Sequence, residues 1–421
     1  MVRRMVIVLV ALGLIVGAWM STAVASERAT VRVWYAGTPR PMMDVVNNEL
    51  IPEFEATNPD IDVVVEFVPW GDMSTKLATA FAAGVAPDLF MHGQAATAGF
   101  AAANQIEPLD RFLETMPDAS DFGLTLDAGN YFGSRYMMPM FGSGWLLLYR
   151  ADQFREVGLD PSRPPATWED LLEAAKRLTV WRGNRLVREG LDLPSTGVNP
   201  PQIWANFLWQ NGGDFFTPDF GDIAFHGPEG QEALQYIVDL IHVHKTTDTQ
   251  VNMGQGNVPP LATGEVAMLF GVPGDVANVK TYAPQVYPEV RVAPPLRRKE
   301  QVALYAFNGF FMSKSSRHKD EAWRLLEYLA SPTAMEKFVR SLQAIPPRQS
   351  LASSDYVASD PALRVFVEGA RYARGNPNVP EWVRIRDTLS RYLEQAMYGV
   401  MSPEDALNRA ASEARRFLSM P

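Results

Sequence analysis

Most of the side-chain groupings in this chain that could support catalysis or metal binding fail on spacing. His242 and His244 stand two apart on a predicted helix, so they point away from each other rather than onto one ion. Gly142-Ser143-Gly144 has the outline of a nucleophile elbow, but its glycines flank the serine directly, whereas that motif needs them two residues away on either side. Gly254-x-Gly256 does not continue into a phosphate-binding loop. Glu66, Asp72 and Asp88 could be cast as an acid–base pair, yet a chain with 48 acids supplies such pairs by chance. Cysteine is absent, which removes thiolates, disulfides and the acylated cysteine of a lipoprotein. What remains is the chemistry of holding a molecule. Trp34 and Tyr35, Trp70, and Gln94 all fall where predicted strands end, offering aromatic faces beside an amide. The competing reading for each tryptophan is burial in a core.

The elements that must position these groups follow from periodicity. Thr30–Tyr35 is short and β-branched and predicts a buried strand. Met43, Val46, Leu50 and Phe54 make one apolar helix stripe. Asn58-Pro59-Asp60 breaks that helix before a second strand, 61–68. Met73, Leu77 and Phe81 define a further helix closed by Gly84, and 88–91 is a third strand. Such alternation predicts a parallel sheet, whose ligands sit beyond the carboxyl ends of the strands. Later, Thr167 and Asp170 form a capping-box pattern at the head of an apolar stripe. Residues 228–244 read as a helix, 310–312 as a strand, 322–329 as a helix, and Ser402 to Asp405 cap a last amphipathic helix. No internal repeat or low-complexity linker occurs, so the domain crossing is expected in the glycine-rich stretch Pro139 to Gly144.

Arg3 and Arg4, an uncharged apolar run from Met5 to Trp19, and Ala23-Val24-Ala25 have the form of a cleavable secretory signal over residues 1–25. The alternative is a retained membrane anchor, since the run is about long enough to span a bilayer. With 421 residues the chain can bury the cores of two domains. A formal charge of −10 with no basic block argues against nucleic-acid partners.

Taken in order, the blocks "FEATNPDIDVVVEFVPW", "KLATAFAAGVAPDLF", "LLLYRADQFREVGLDPSRPPATWEDLLEAAKRL", "WANFLWQNGGDFF", "LATGEVAMLFGVPGDVANV", "GFFMSKSSRHKDEAWRLLEYLASPTAMEKF" and the stretch from Pro377 to Ala410 resemble the extracellular solute-binding proteins of carbohydrate ABC importers, the group that includes the maltodextrin-binding proteins. The resemblance spans essentially the whole chain after the signal-like segment. It implies an α/β, two-lobed periplasmic-binding-protein fold of type II, each lobe a mostly parallel sheet flanked by helices. The first lobe would comprise residues 26–139 and 302–342, and the second 140–301 and 343–421. A ligand cleft would lie at the hinge. It also implies a monomer that delivers a sugar-like solute to membrane permease subunits, with no cofactor and no metal.

Carried over position by position, the resemblance places Trp34 to Thr38 and Met91 to Gln94 among first-lobe contacts, Ser143 at the hinge, and Gln202 and Trp204 on the second lobe. Gly274, Met91 and Arg386 stand where maltodextrin relatives stack aromatics, so the scaffold matches and the maltodextrin site does not. The candidate set is therefore Trp34, Tyr35, Trp70, Trp145 and Trp204 for sugar faces, and Gln94, Ser143, Gln202, Asp275 and Asn308 for hydroxyls. Thr38, Met91 and Gly274 line the same loops. Arg386, flanked by Arg384, opens an alternative ligand: a uronate or glycerol-phosphate-like anion gripped by a guanidinium fork. Two further alternatives are a secreted carbohydrate-active enzyme and a sensor subunit that presents its ligand to a receptor.

Overall fold

A computed structural model describes residues 28–193, 195, 199–249 and 258–418. The segment read as an export signal and the Gly254-x-Gly256 pattern lie outside the described residues. In the first lobe the strand Ala29–Ala36 pairs in parallel with Ile61–Val68 along its whole length, and with Leu89–Gly93 through Val33 and Trp34. Because strand side chains alternate, Val31, Val33 and Tyr35 share a fully buried face and Arg32 and Trp34 share the other. A late strand, Ala303–Met312, then joins this sheet antiparallel to Leu89–Gly93, with Met137–Gly144 on its far side.

The first apolar helix differs from its sequence reading by one residue. Met42, not Met43, is buried with Val46, Leu50 and Phe54. A strict four-residue repeat drifts around a helix of 3.6 residues per turn. The chain absorbs the drift in a π-helical stretch, Val46–Leu50, which keeps all four side chains on one line. The next helix, Trp70–Ala83, starts directly after Pro69 and ends in a left-handed Gly84, as a glycine cap should.

In the second lobe, Leu146–Arg150 pairs antiparallel with Met268–Gly271 and Val290–Val292. Parallel pairing enters through bridges from Glu189 to Val266 and Asp192 to Leu269, and Gly190 N donates to Thr246 O at 2.9 Å. Leu147 and Tyr149 bury one face of this sheet beneath the helices Trp168–Leu178, Asn199–Gln210 and Pro228–His242. The helices Trp382–Met397 and Pro403–Leu418 close the same core. The capping box at Thr167 and Asp170 is formed, and Asp405 N bonds Ser402 Oγ at 3.1 Å.

The chain crosses between lobes where Met137–Gly144 runs into Leu146–Arg150, and again near Ile345, which exchanges two backbone bonds with Gly142. Gly144 has to be glycine, because a Cβ there would stand 2.5 Å from the Tyr305 ring. Leu351, Tyr356 and Val357 pack with the first lobe's core, although they follow the crossing.

Candidate ligand-binding cleft

A cavity of about 490 Å³ opens where the lobes meet. The first lobe walls it with the loop from Ala36 to Met42 and with Trp70, the crossing strand floors it with Phe141 and Ser143, Gln343 joins them from the end of the helix Pro332–Leu342, and the second lobe contributes the face of the helix Pro273–Tyr282. Of the sequence candidates, Trp70, Ser143, Gly274 and Asp275 come together here. Trp70 is 44% exposed. Its place on the first helical turn after Pro69 holds the indole over the loop, where a Cβ on Gly37 would come within 3.0 Å of its Nε1. That loop glycine has φ +93°, a conformation that glycine adopts without strain. The edge of His92 meets the Trp70 ring with centroids 6.3 Å apart.

His92 packs against Trp70 rather than lining the cavity itself. Its Nδ1 accepts from Gly93 N at 2.9 Å and its Nε2 lies 3.0 Å from Ser74 Oγ, so the neutral ring carries its proton on the side of Ser74. Burial, with a smaller push from the charge of Arg386 across the lobe boundary, lowers its pKa to about 4. Arg386 is partly buried and its Nε and Nη2 both bond Asp387 Oδ1, at 3.0 and 2.7 Å. Arg384 is exposed, so the two arginines do face different ways. Gln94 is engaged with the strand Ala303–Met312, its Oε1 accepting from Phe307 N at 2.7 Å. Asn308 lies beside Gly93, its Oδ1 3.3 Å from where a Cβ would stand.

Other candidates sit elsewhere. Tyr35 and Met91 are fully buried in the first core, because both point to the inner face of the sheet. Trp34 is 7% exposed beneath Lys76, whose ammonium sits 4.4 Å from the ring centroid. That places it on the outer side of the sheet and away from the cleft. Trp204 is 1% exposed, packed edge-to-face on Phe215 and Phe225. Trp145 is half-buried against the second core and its N bonds Leu304 O. Thr38 is exposed in the loop next to the cavity, and Gln202 Oε1 is buried without a hydrogen-bond partner.

Asp275 reaches the cavity as a helix cap, since Val272 N donates to its Oδ2 at 2.8 Å. Burial raises its pKa. Asp88, considered for acid–base work, is instead an anchor that accepts from Arg32 N and Ser316 Oγ. Glu66 pairs with Lys76. Sequence reasoning missed Asn278, Thr281 and Tyr282, which line the cavity with Gly274 and Ala277. Their helical spacing after Pro273 was the available signal, but without knowing which face looked outward it named nothing.

A cavity walled by two α/β lobes and floored by the strands that join them defines a solute-binding protein, the capture component of ABC importers. The chain belongs to the bacterial extracellular solute-binding protein family, whose model matches residues 40–336. A binding protein of Brucella abortus (strain 2308) is 26% identical over 96% of this chain and 97% of its own. The sn-glycerol-3-phosphate-binding periplasmic protein of Shigella dysenteriae is 24% identical over 88% and 89%. Among solved structures, an ABC transporter solute-binding protein of Thermotoga lettingae bound to α-D-tagatose superposes with a TM-score of 0.84 and 25% identity, covering 93% of this chain and 100% of that one. Among the described residues, no helix is long and apolar enough to cross a membrane.

Proposed function

We propose that this protein captures a neutral sugar between its lobes and hands it to permease subunits in the membrane without altering it. The carrying observation is the interlobe cavity itself. It presents a half-exposed tryptophan and uncharged polar groups, Ser143, Asn278, Thr281 and Gln343, which suit a sugar's apolar C–H face and its hydroxyls. Two of the charged groups on its walls are engaged within their own elements, Asp275 as a helix cap and Arg340 with Glu336, and the exposed Arg40 lies 3.7 Å from Asp44.

The protein works as a monomer outside the cytoplasmic membrane, exported by a cleaved signal over residues 1–25 and carrying no lipid anchor, metal or cofactor. Its lobes divide at 26–139 with 302–342 and at 140–301 with 343–421, the stretch around Leu351 to Val357 remaining attached to the first core. A thermal-shift screen of the mature protein against neutral saccharides, polyols, uronates and sugar phosphates tests the reading, because a ligand that binds only the folded state raises the melting temperature by mass action. Stabilisation by a neutral sugar without turnover is the expected result. Turnover would make it an enzyme, and silence across the panel would end the sugar reading.

The partly buried Arg386 beside His92, together with the glycerol-3-phosphate-binding relative, favours one second reading, an anionic sugar derivative. In that case a sugar phosphate or uronate wins the screen and Arg386→Ala abolishes its effect.

A further inference from the structure

The helix Pro273–Tyr282 turns a polar stripe toward the cavity along its entire length. Gly274, Ala277, Asn278, Thr281 and Tyr282 line the cavity, while Val276 and Val279 on the opposite face are buried. From Gly274 to Tyr282 this stripe runs about 12 Å at 1.5 Å per residue, more than the width of one pyranose ring. At its far end the Tyr282 ring is 44% exposed. A singly exposed aromatic is ordinary on a surface, but Tyr282 lines the same cavity as Trp70 from the other lobe, so a molecule filling that cavity reaches both rings.

We infer that Tyr282 is a second aromatic platform, placed on the opposite lobe from Trp70, and that the cleft takes a neutral saccharide of at least two linked rings rather than a monosaccharide. This deepens the sugar-capture reading and rests on it. One ring lies against Trp70 over the crossing strands at Ser143. The next follows the helix stripe, with Asn278 and Thr281 supplying hydrogen bonds, and stacks on Tyr282. The arrangement also accounts for Gly274. With no side chain at the helix start, where a Cβ would meet nothing closer than 4.0 Å, the saccharide can pass along the helix instead of being stopped at its first turn. Aromatic stacking therefore moves from the start of this helix to its end, about two turns further along.

The test is calorimetric titration of the mature protein with glucose, maltose and maltotriose, and with mannose, mannobiose and mannotriose. The wild type is compared with Tyr282→Ala and Tyr282→Phe. At least one di- or trisaccharide is expected to bind more tightly than its monosaccharide. Tyr282→Ala should weaken that longer ligand about tenfold, equivalent to about 1.4 kcal/mol, and should leave the monosaccharide unchanged. Tyr282→Phe should restore the affinity. Tyr282 is exposed, so neither variant should compromise folding, and a circular-dichroism melt checks that directly. A monosaccharide that binds as tightly as its longer forms overturns the inference and leaves sugar capture standing. The same holds if Tyr282→Ala weakens every length equally or weakens none. Absence of binding by all six sugars overturns both.

Discussion

Tryptophan in the core of the second lobe and tryptophan at the cleft edge of the first serve opposite ends. The second lobe keeps Trp168, Trp204, Trp209 and Trp382 fully buried. Trp168 is fixed there by Nε1 donating to Gln210 Oε1 at 2.7 Å, and Arg298 covers its ring with the guanidinium 4.4 Å from the centroid. The first lobe leaves Trp70 half in water at a helix start above the cavity. Residue type is the same in each case, and so is place in the helix for three of them: Trp168, Trp382 and Trp70 each open a helix. What the helix start faces decides between a core and a platform, since Trp168 and Trp382 pack into the second core whereas Trp70 follows the carboxyl end of a sheet strand that opens onto the cleft.

Substitution should break the two sets differently. Trp204→Ala is expected to cost about 3–5 kcal/mol in a denaturant titration, the range for emptying a large buried aromatic site. A loss below 1 kcal/mol would mean that Trp204 is not the core residue described. The second lobe's interior also contains acids. Burial raises Glu189 to about 8 and Asp192 to about 7, with Asp192 and Asp248 respectively adding repulsion. Both acids hold their protons more tightly folded than unfolded. Their contribution is therefore full below the ordinary carboxylate range and is lost as pH rises toward 8. Glu189→Gln with Asp192→Asn should flatten that decline, leaving the variant more stable than wild type at pH 8 by on the order of 2–4 kcal/mol. A parallel pH profile would refute it.

Trp70→Ala should reverse the pattern seen for Trp204. Unfolding free energy should stay within about 1 kcal/mol of wild type, while affinity for the sugar that stabilises the protein falls roughly tenfold or more. The smallest effect belongs to Gln343, a non-glycine residue in the left-handed region at a helix end (φ 48°, ψ 37°) whose side chain lines the cavity. Gln343→Gly should raise stability by about 1 kcal/mol, because that position favours glycine, and should weaken ligand binding. A gain in stability with unchanged affinity would make the side chain idle.

The first lobe's strand–helix rhythm was legible because Thr30–Tyr35, 61–68 and 88–91 are apolar runs separated by clear breakers. The second lobe's parallel bridges at Glu189 and Asp192 were not, since two acids make a buried, bridged segment read as a surface loop. Their burial shows only once Thr247 Oγ1 is seen to donate to Glu189 Oε2 at 2.7 Å. For the cleft, chain order located the right loops, but strand alternation decided which side chains entered it. Trp34 and Tyr35 precede the loop, and their directions on the pleat send one beneath Lys76 and the other into the core. Trp70 lies beyond its strand and so escapes that constraint. Tyr282 was hidden because a helix stripe of mixed small and polar residues advertises no face.

The half-exposed indole of Trp70 also gives the molecule an optical signal of its own. A ligand seated over it displaces water from the ring, so its emission should move to shorter wavelength and resist quenching by iodide. The four fully buried tryptophans of the second lobe would contribute a constant background. Trp181, 43% exposed on a hairpin whose indole donates to Lys245 O, stays wet whether or not the cleft is filled. It supplies an internal standard against which occupancy of this protein can be followed without any label.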